Sequence, residues 1–189
     1  TRSAGSVPAL ERDQMTTGAR EPRTSISDLD DTYLDWVRSA LDDHALFREF
    51  RQLPGIKTTV EGCKAADGEI YRAVAWKQTP HLWDYIDKFK TSDTLASPDT
   101  APYPEGLISP TTWRYIKVLS DLQTLFGSLD GWRIAEIGIG YGGQCKIIGD
   151  VQEVAGYAMS DLEPVLRLGR KYLEGLASPV IERLTCPDF

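Results

Sequence analysis

Apolar residues in the first two thirds of the chain return mostly at helical intervals; in the last third the rhythm changes. Tyr33, Trp36, Val37, Ala40 and Leu41 recur three and four apart, which places them on one side of an α-helix. Ser27 and Asp30 precede them with the Ser-x-x-acid spacing of a capped helix start. A second run, Leu46, Phe47, Phe50 and Leu53, is expected to stop at Pro54-Gly55. Glu69 to Trp76 fits a strand or a helix. Thr79-Pro80 reads as a cap and a first helical residue, followed by an apolar face of Leu82, Trp83, Ile86 and Phe89. Residues 91–108 carry Pro98, Pro102, Pro104 and Gly106 among small polar residues and predict a loop or linker. Ser109-Pro110 then opens a helix with Tyr115, Val118, Leu119, Leu122, Leu125 and Phe126 as its buried stripe, and Gly127 ends it.

From Asp130 onward short apolar runs alternate with helical ones. Trp132 to Ile137 reads as a short buried strand, and the glycine-rich Gly138–Gly143 follows at once. Gln144 to Val151 is helical in its spacing of Cys145, Ile148 and Val151. Ala155 to Ser160 reads as a second strand, ended by Asp161. Pro164 begins another helix, with Val165, Leu166, Tyr172 and Leu173 apolar, and a third strand is expected near Pro179–Thr185. This order is a βαβ unit of the open, mostly parallel α/β class.

The chain has 189 residues, enough for one ordinary domain or one with a small addition. Its net charge of −7 is a poor electrostatic match for DNA or RNA, so no nucleic-acid partner is expected. No apolar run is long enough for a membrane span, and residues 1–26 lack the apolar core of a signal peptide. That segment, rich in Ser, Thr, Gly, Arg and Glu, is expected to be disordered. Cys63, Cys145 and Cys186 are odd in number without metal-ligand spacing, which points to reduced thiols in a cytoplasmic protein. The chain opens on Thr1, with Met15 as a candidate start, and both ends read as cut.

The chemistry concentrates around the glycine run. Gly138 and Gly140 tolerate positive φ and carry no Cβ, so a ligand can lie against the backbone. The helix beyond them offers unpaired N–H groups. Asp161, twenty-three residues after Gly138, stands at the end of the second strand, where a carboxylate can accept both hydroxyl hydrogens of a ribose. Gly138, Gly140 and Gly143 satisfy G-x-G-x-x-G, which keeps NAD and an oxidoreductase open. Glu136, two residues ahead, would repel a pyrophosphate but suits a ligand carrying a sulfonium and an amino group. A turn with no ligand, in a non-catalytic interaction module, is the third reading.

Glu136-Ile-Gly-Ile-Gly-Tyr-Gly-Gly143 resembles the first motif of class I S-adenosylmethionine-dependent methyltransferases, and Asp161-Leu162 resembles the acidic end of their second strand. Ile108 to Lys117 and Tyr157 to Leu166 are in addition similar to a sugar O-methyltransferase family. The resemblance covers roughly residues 105–175. It implies an incomplete Rossmann-like parallel sheet preceded by a helical N-terminal region, and hence an N-terminal fragment of a longer enzyme. The expected segments are 1–26 disordered, 27–90 mainly helical, 91–108 loop, and 109–189 the start of a domain that binds S-adenosyl-L-methionine. By the same resemblance Gly138, Gly140 and Gly142 pass under the methionine and ribose of the cofactor. Glu136 orients the turn or meets the amino group, Asp161 holds the ribose hydroxyls and Leu162 packs on adenine. The implied acceptor is a sugar or glycoside hydroxyl, deprotonated during transfer. No base is identified. His44 and His81 read as surface residues and Asp84 and Asp87 as a solvated face; Trp83 and Tyr85 are able to stack on a sugar ring, with core packing the better reading for Trp83. A first strand lacking its usual neighbour leaves an uncovered edge that invites pairing with another chain, so an oligomer is compatible with the sequence.

Overall fold

The computed structural model describes residues 31–185. The proposed cap at Ser27 and Asp30, the disordered reading of 1–26, and Cys186 lie outside the described residues. Helix α1 (Asp31–Asp42) buries Val37 and Ala40 completely, as their spacing predicts. Asp43 then caps α2 (His44–Arg48): its carboxylate accepts the N–H groups of Ala45 and Leu46 at 2.7 and 3.1 Å. A 3-10 turn at Phe50–Gln52 follows. Pro54 does not stop the chain's helical course; it is the first residue of α3 (Pro54–Thr59). A proline there gives up only an N–H that has no helical partner.

The ambiguous stretch around 69–76 is helical, within α4 (Ala65–Gln78). Pro80–Tyr85 forms a 3-10 helix leading into α5 (Ile86–Lys90), with Leu82 and Phe89 fully buried. Residues 91–108 are more ordered than their prolines predict. They hold a 3-10 turn, Thr91–Asp93, and an antiparallel hairpin of β1 (Ala101–Tyr103) and β2 (Gly106–Ile108). Pro102 is tolerated because a two-stranded ribbon consists of edges. The hairpin tip is held from outside itself. Glu105 accepts two bonds from the Arg72 guanidinium, each 2.7 Å, and one from the Trp83 indole at 2.8 Å.

Helix α6 (Pro110–Phe126) starts where predicted, with the Ser109 hydroxyl accepting the Thr111 N–H at 3.2 Å. Its stripe is displaced toward its start. Trp113, Ile116 and Leu119 are buried, whereas Leu125 and Phe126 are exposed. Then come β3 (Arg133–Ile137), α7 (Gly143–Val151), β4 (Gly156–Ser160), α8 (Glu163–Gly175), a 3-10 turn at Pro179–Arg183 and the short β5 (Leu184–Thr185). The molecule is thus a helix-rich α/β protein. Its larger sheet is parallel, in the order β3-β4-β5.

That sheet is covered on one face. Tyr157 and Met159 are buried, with Ile134 and Glu136 beside them on the same face. The alternate residues Arg133, Ala135, Ile137 and Ser160 are exposed, Ile137 at 87%. Trp132–Ile137 is therefore not the buried strand its apolar run predicts. Among the described residues β3 has no neighbour on its outer edge and no helix over its second face. One hydrophobic core nevertheless runs from Val37 and Phe50 through Trp113 to Tyr172 and Val180, joining the early helices to the sheet. No helix among the described residues is long and apolar enough to cross a membrane.

Candidate functional site

The turn after β3 contains three left-handed glycines, with φ of +76° at Gly138, +56° at Gly140 and +83° at Gly142. A residue with a Cβ is strained in that region, and glycine is not. The Gly138 N–H donates to Ser160 O at 2.8 Å, which carries the strand pairing one residue into the turn. Gly142 caps α7 and donates to Ile139 O at 2.9 Å.

The glycines face different surroundings. A Cβ on Gly143 would lie 2.3 Å from the Tyr115 ring, and one on Gly140 would lie 3.1 Å from Val60. One on Gly142 would touch Leu173 at 3.5 Å. These three allow α6, α8 and the α3–α4 connection to close on the turn. A Cβ on Gly138 would meet nothing within 4 Å. Space open to a ligand therefore lies at Gly138, while the Gly140 position is covered by Val60.

Two carboxylates stand on either side of Gly138. Glu136, two residues back on β3, accepts the Tyr157 hydroxyl at 2.7 Å. Burial pushes its carboxyl from 4.5 up to about 7; the Tyr157 bond opposes the rise and the nearby Asp161 charge adds to it. Asp161 follows β4 and is partly exposed. One of its oxygens accepts the Leu162 N–H at 2.7 Å, which leaves the second oxygen for another donor. Strands β3 and β4 are parallel neighbours with Ile137 beside Ser160, so both carboxylates sit at the same end of the sheet. Leu162 is 43% exposed and is the residue from which α8 starts.

Helix α1 supplies a residue that local sequence gives no reason to place here. Burial, then the Asp161 charge, then Tyr115 push the Tyr33 hydroxyl's pKa upward, so Tyr33 feels the Asp161 carboxylate from 128 positions earlier in the chain. Lys171 on α8 donates to Leu41 O at 3.0 Å, so α1 and α8 lie side by side. The other residues missed from sequence are Val60, Glu61 and Tyr157, each of which acts through a partner far along the chain.

The remaining candidates are elsewhere. His44 is exposed at the start of α2. His81 pairs with Gln123 at 2.9 Å and lines a groove of about 420 Å³ with Ser128 and Gln152, at the opposite end of β3 from Gly138. Asp84 and Asp87 are exposed. Trp83 is half-buried, tilted against Trp113 with ring centroids 5.7 Å apart, and Tyr85 has Lys88 over its ring at 5.4 Å. Among the described residues no cluster of His, Cys, Asp or Glu could hold a metal ion. Comparison with protein-family models, with curated proteins and with solved structures found no match.

Proposed function

We propose that this chain binds S-adenosyl-L-methionine at Gly138 and serves an O-methyltransferase acting on a small hydroxylated acceptor, a sugar or glycoside. The observation that carries this reading is the open Gly138 backbone between Glu136 and Asp161, at the carboxyl ends of two adjacent parallel strands. That is where open α/β sheets receive ligands. The donor set suits the cofactor. Asp161 has an oxygen available for ribose hydroxyls, and Glu136 is a carboxyl that a cationic neighbour would ionise. Gly138 presents bare backbone, and Leu162 offers an apolar surface to adenine.

We read the parallel order β3-β4-β5 with one covered face as one half of a Rossmann-like sheet, a class whose ligand crevice opens beside its first strand. The outer edge of β3 and the bare face are where further parallel strands and helices would complete it. We read the chain as part of such an enzyme, cytoplasmic, with Cys63 and Cys145 as reduced cysteines outside any disulfide.

When bound, S-adenosyl-L-methionine supplies a methyl group made electrophilic by its sulfonium. The protein's part is to hold and align, since group transfer of this kind rests largely on proximity and orientation. Asp161 would hold the pentose, Glu136 the positive end, and the turn the backbone-facing edge. Titration with S-adenosyl-L-homocysteine and, separately, with NADH tests the reading by calorimetry and thermal shift. The expected result is binding of the first alone. The Asp161→Ala variant should lose on the order of 1.5–3 kcal/mol of that affinity, the value of hydrogen bonds to a charged group. Binding of NADH instead would establish an oxidoreductase, and binding of neither would leave an interaction module.

A further inference from the structure

We propose that Glu61 is a positioning residue for the glycine turn, acting through the hydroxyl of Tyr141; the inference rests on the S-adenosyl-L-methionine reading of that turn. Tyr141 lies between two left-handed glycines, Gly140 and Gly142, and its ring is buried. Its hydroxyl donates to Glu61 Oε1 at 2.6 Å. Glu61 belongs to the connection between α3 and α4, far from the turn in sequence. Its carboxylate is itself held by two bonds from the Arg51 guanidinium, 2.9 Å to Oε1 and 3.0 Å to Oε2. Arg51 is anchored in turn by Asp93 at 3.0 Å, Ser92 O at 3.1 Å and the Ser109 hydroxyl at 3.2 Å. The same connection sets Val60 against Gly140, and Arg114 grips Val60 O at 3.1 Å.

The turn is thereby clamped from outside at Gly140 and Tyr141, two and three residues beyond the open Gly138. Three glycines leave its backbone many conformations in isolation. A carboxylate fixed by a buried guanidinium selects one of them, and the entropy of ordering is then met on folding rather than on ligand binding. Glu61 touches no ligand on this account. It determines the shape that Gly138 presents.

The test uses the full chain and S-adenosyl-L-homocysteine as probe, with dissociation constants measured well below the unfolding midpoint. Tyr141→Phe keeps the ring packing and the Arg51 pair and loses the hydroxyl's bonds to Glu61 and to Tyr115. Its dissociation constant should rise about tenfold. Glu61→Gln should give a similar rise, and the double variant should lose less affinity than the two single losses added, since both variants break the Tyr141–Glu61 contact. Thr112→Val removes a hydroxyl that bonds Asp93 at 2.8 Å, in the same network but away from the turn. It should lower the unfolding midpoint and leave affinity unchanged. Glu61→Gln leaves a buried guanidinium half-paired and can fail to fold, so Tyr141→Phe decides. If wild type binds and Tyr141→Phe binds equally well with only its midpoint lowered, Glu61 is structural and this inference alone is overturned. A wild-type chain that binds no S-adenosyl-L-homocysteine overturns the proposed function and this inference together.

Discussion

Glu136 carries the clearest electrostatic signature of the site. Its carboxyl is pushed up to about 7, chiefly by burial, against 4.5 when unfolded. Between those two values the folded state binds more protons than the unfolded one, so stability falls as pH rises through that window and levels off above it. The full effect is on the order of 3 kcal/mol. Glu136→Gln should match wild type in thermal midpoint near about pH 5 and exceed it near about pH 8. Binding of an aminated, sulfonium-bearing ligand should release a proton near neutral pH, which calorimetry in two buffers of different ionisation enthalpy detects. The glycines separate on different grounds. Gly143→Ala drives a Cβ to 2.3 Å from the Tyr115 ring, an overpacking that should cost about 1–3 kcal/mol in denaturant melts. Gly138→Ala meets no atom and should cost only the left-handed strain, about 1–2 kcal/mol, yet it fills ligand space and should weaken binding more than Gly143→Ala does.

The helices and strands are tied together by one side chain more than by any other. Arg51, in the turn after α2, bonds the α3–α4 connection, the turn before the hairpin and the cap of α6. Its side chain is fully buried, as are nearly all of the Glu61 and Asp93 carboxylates. Arg51→Met should therefore destabilise by about 3–5 kcal/mol in chemical denaturation, because two carboxylates remain buried without their cation. Simultaneous replacement of Glu61 and Asp93 by their amides should recover part of that loss. On α7, the buried pair of Lys146 and Asp150 plays a related part. Lys146 also donates to the Thr91 hydroxyl at 2.8 Å, joining α7 to the end of α5. Elements of the early helical region thus meet the sheet helices through polar clasps set within a shared apolar core.

The molecule is asymmetric about its parallel sheet. Such sheets are ordinarily buried on both faces, and this one shows Arg133, Ala135 and Ile137 to solvent. Leu125, Phe126 and Trp132 are also exposed, the last two with ring centroids 5.6 Å apart. An exposed apolar edge strand pairs readily with other strands. Concentration-dependent association should appear in sedimentation velocity, and Ile137→Lys should reduce it. The substitution should leave helical content unchanged and alter stability by no more than about 0.5 kcal/mol, as for other exposed sites.

Local pattern alone determined a good deal. The helical spacing of Val37 and Ala40, the Ser109-Pro110 start of α6, the strand–glycine–helix order from Arg133 and the end of β4 before Asp161 all rest on neighbours a few residues apart. Periodicity, caps and left-handed glycines are interactions of that short range. What required the folded chain were the contacts between distant positions. Pro102 sits in a strand because Arg72 and Trp83 hold the hairpin tip. Leu125 lies in the open because α6 outruns the core, and Ile137 because, among the described residues, no neighbour covers β3. Of the glycines, Gly138 is open while Gly140 is covered by Val60, and Tyr141 is anchored to Glu61. Burial and pairing across eighty or more residues depend on where whole elements come to rest, and that is decided by packing of the entire core.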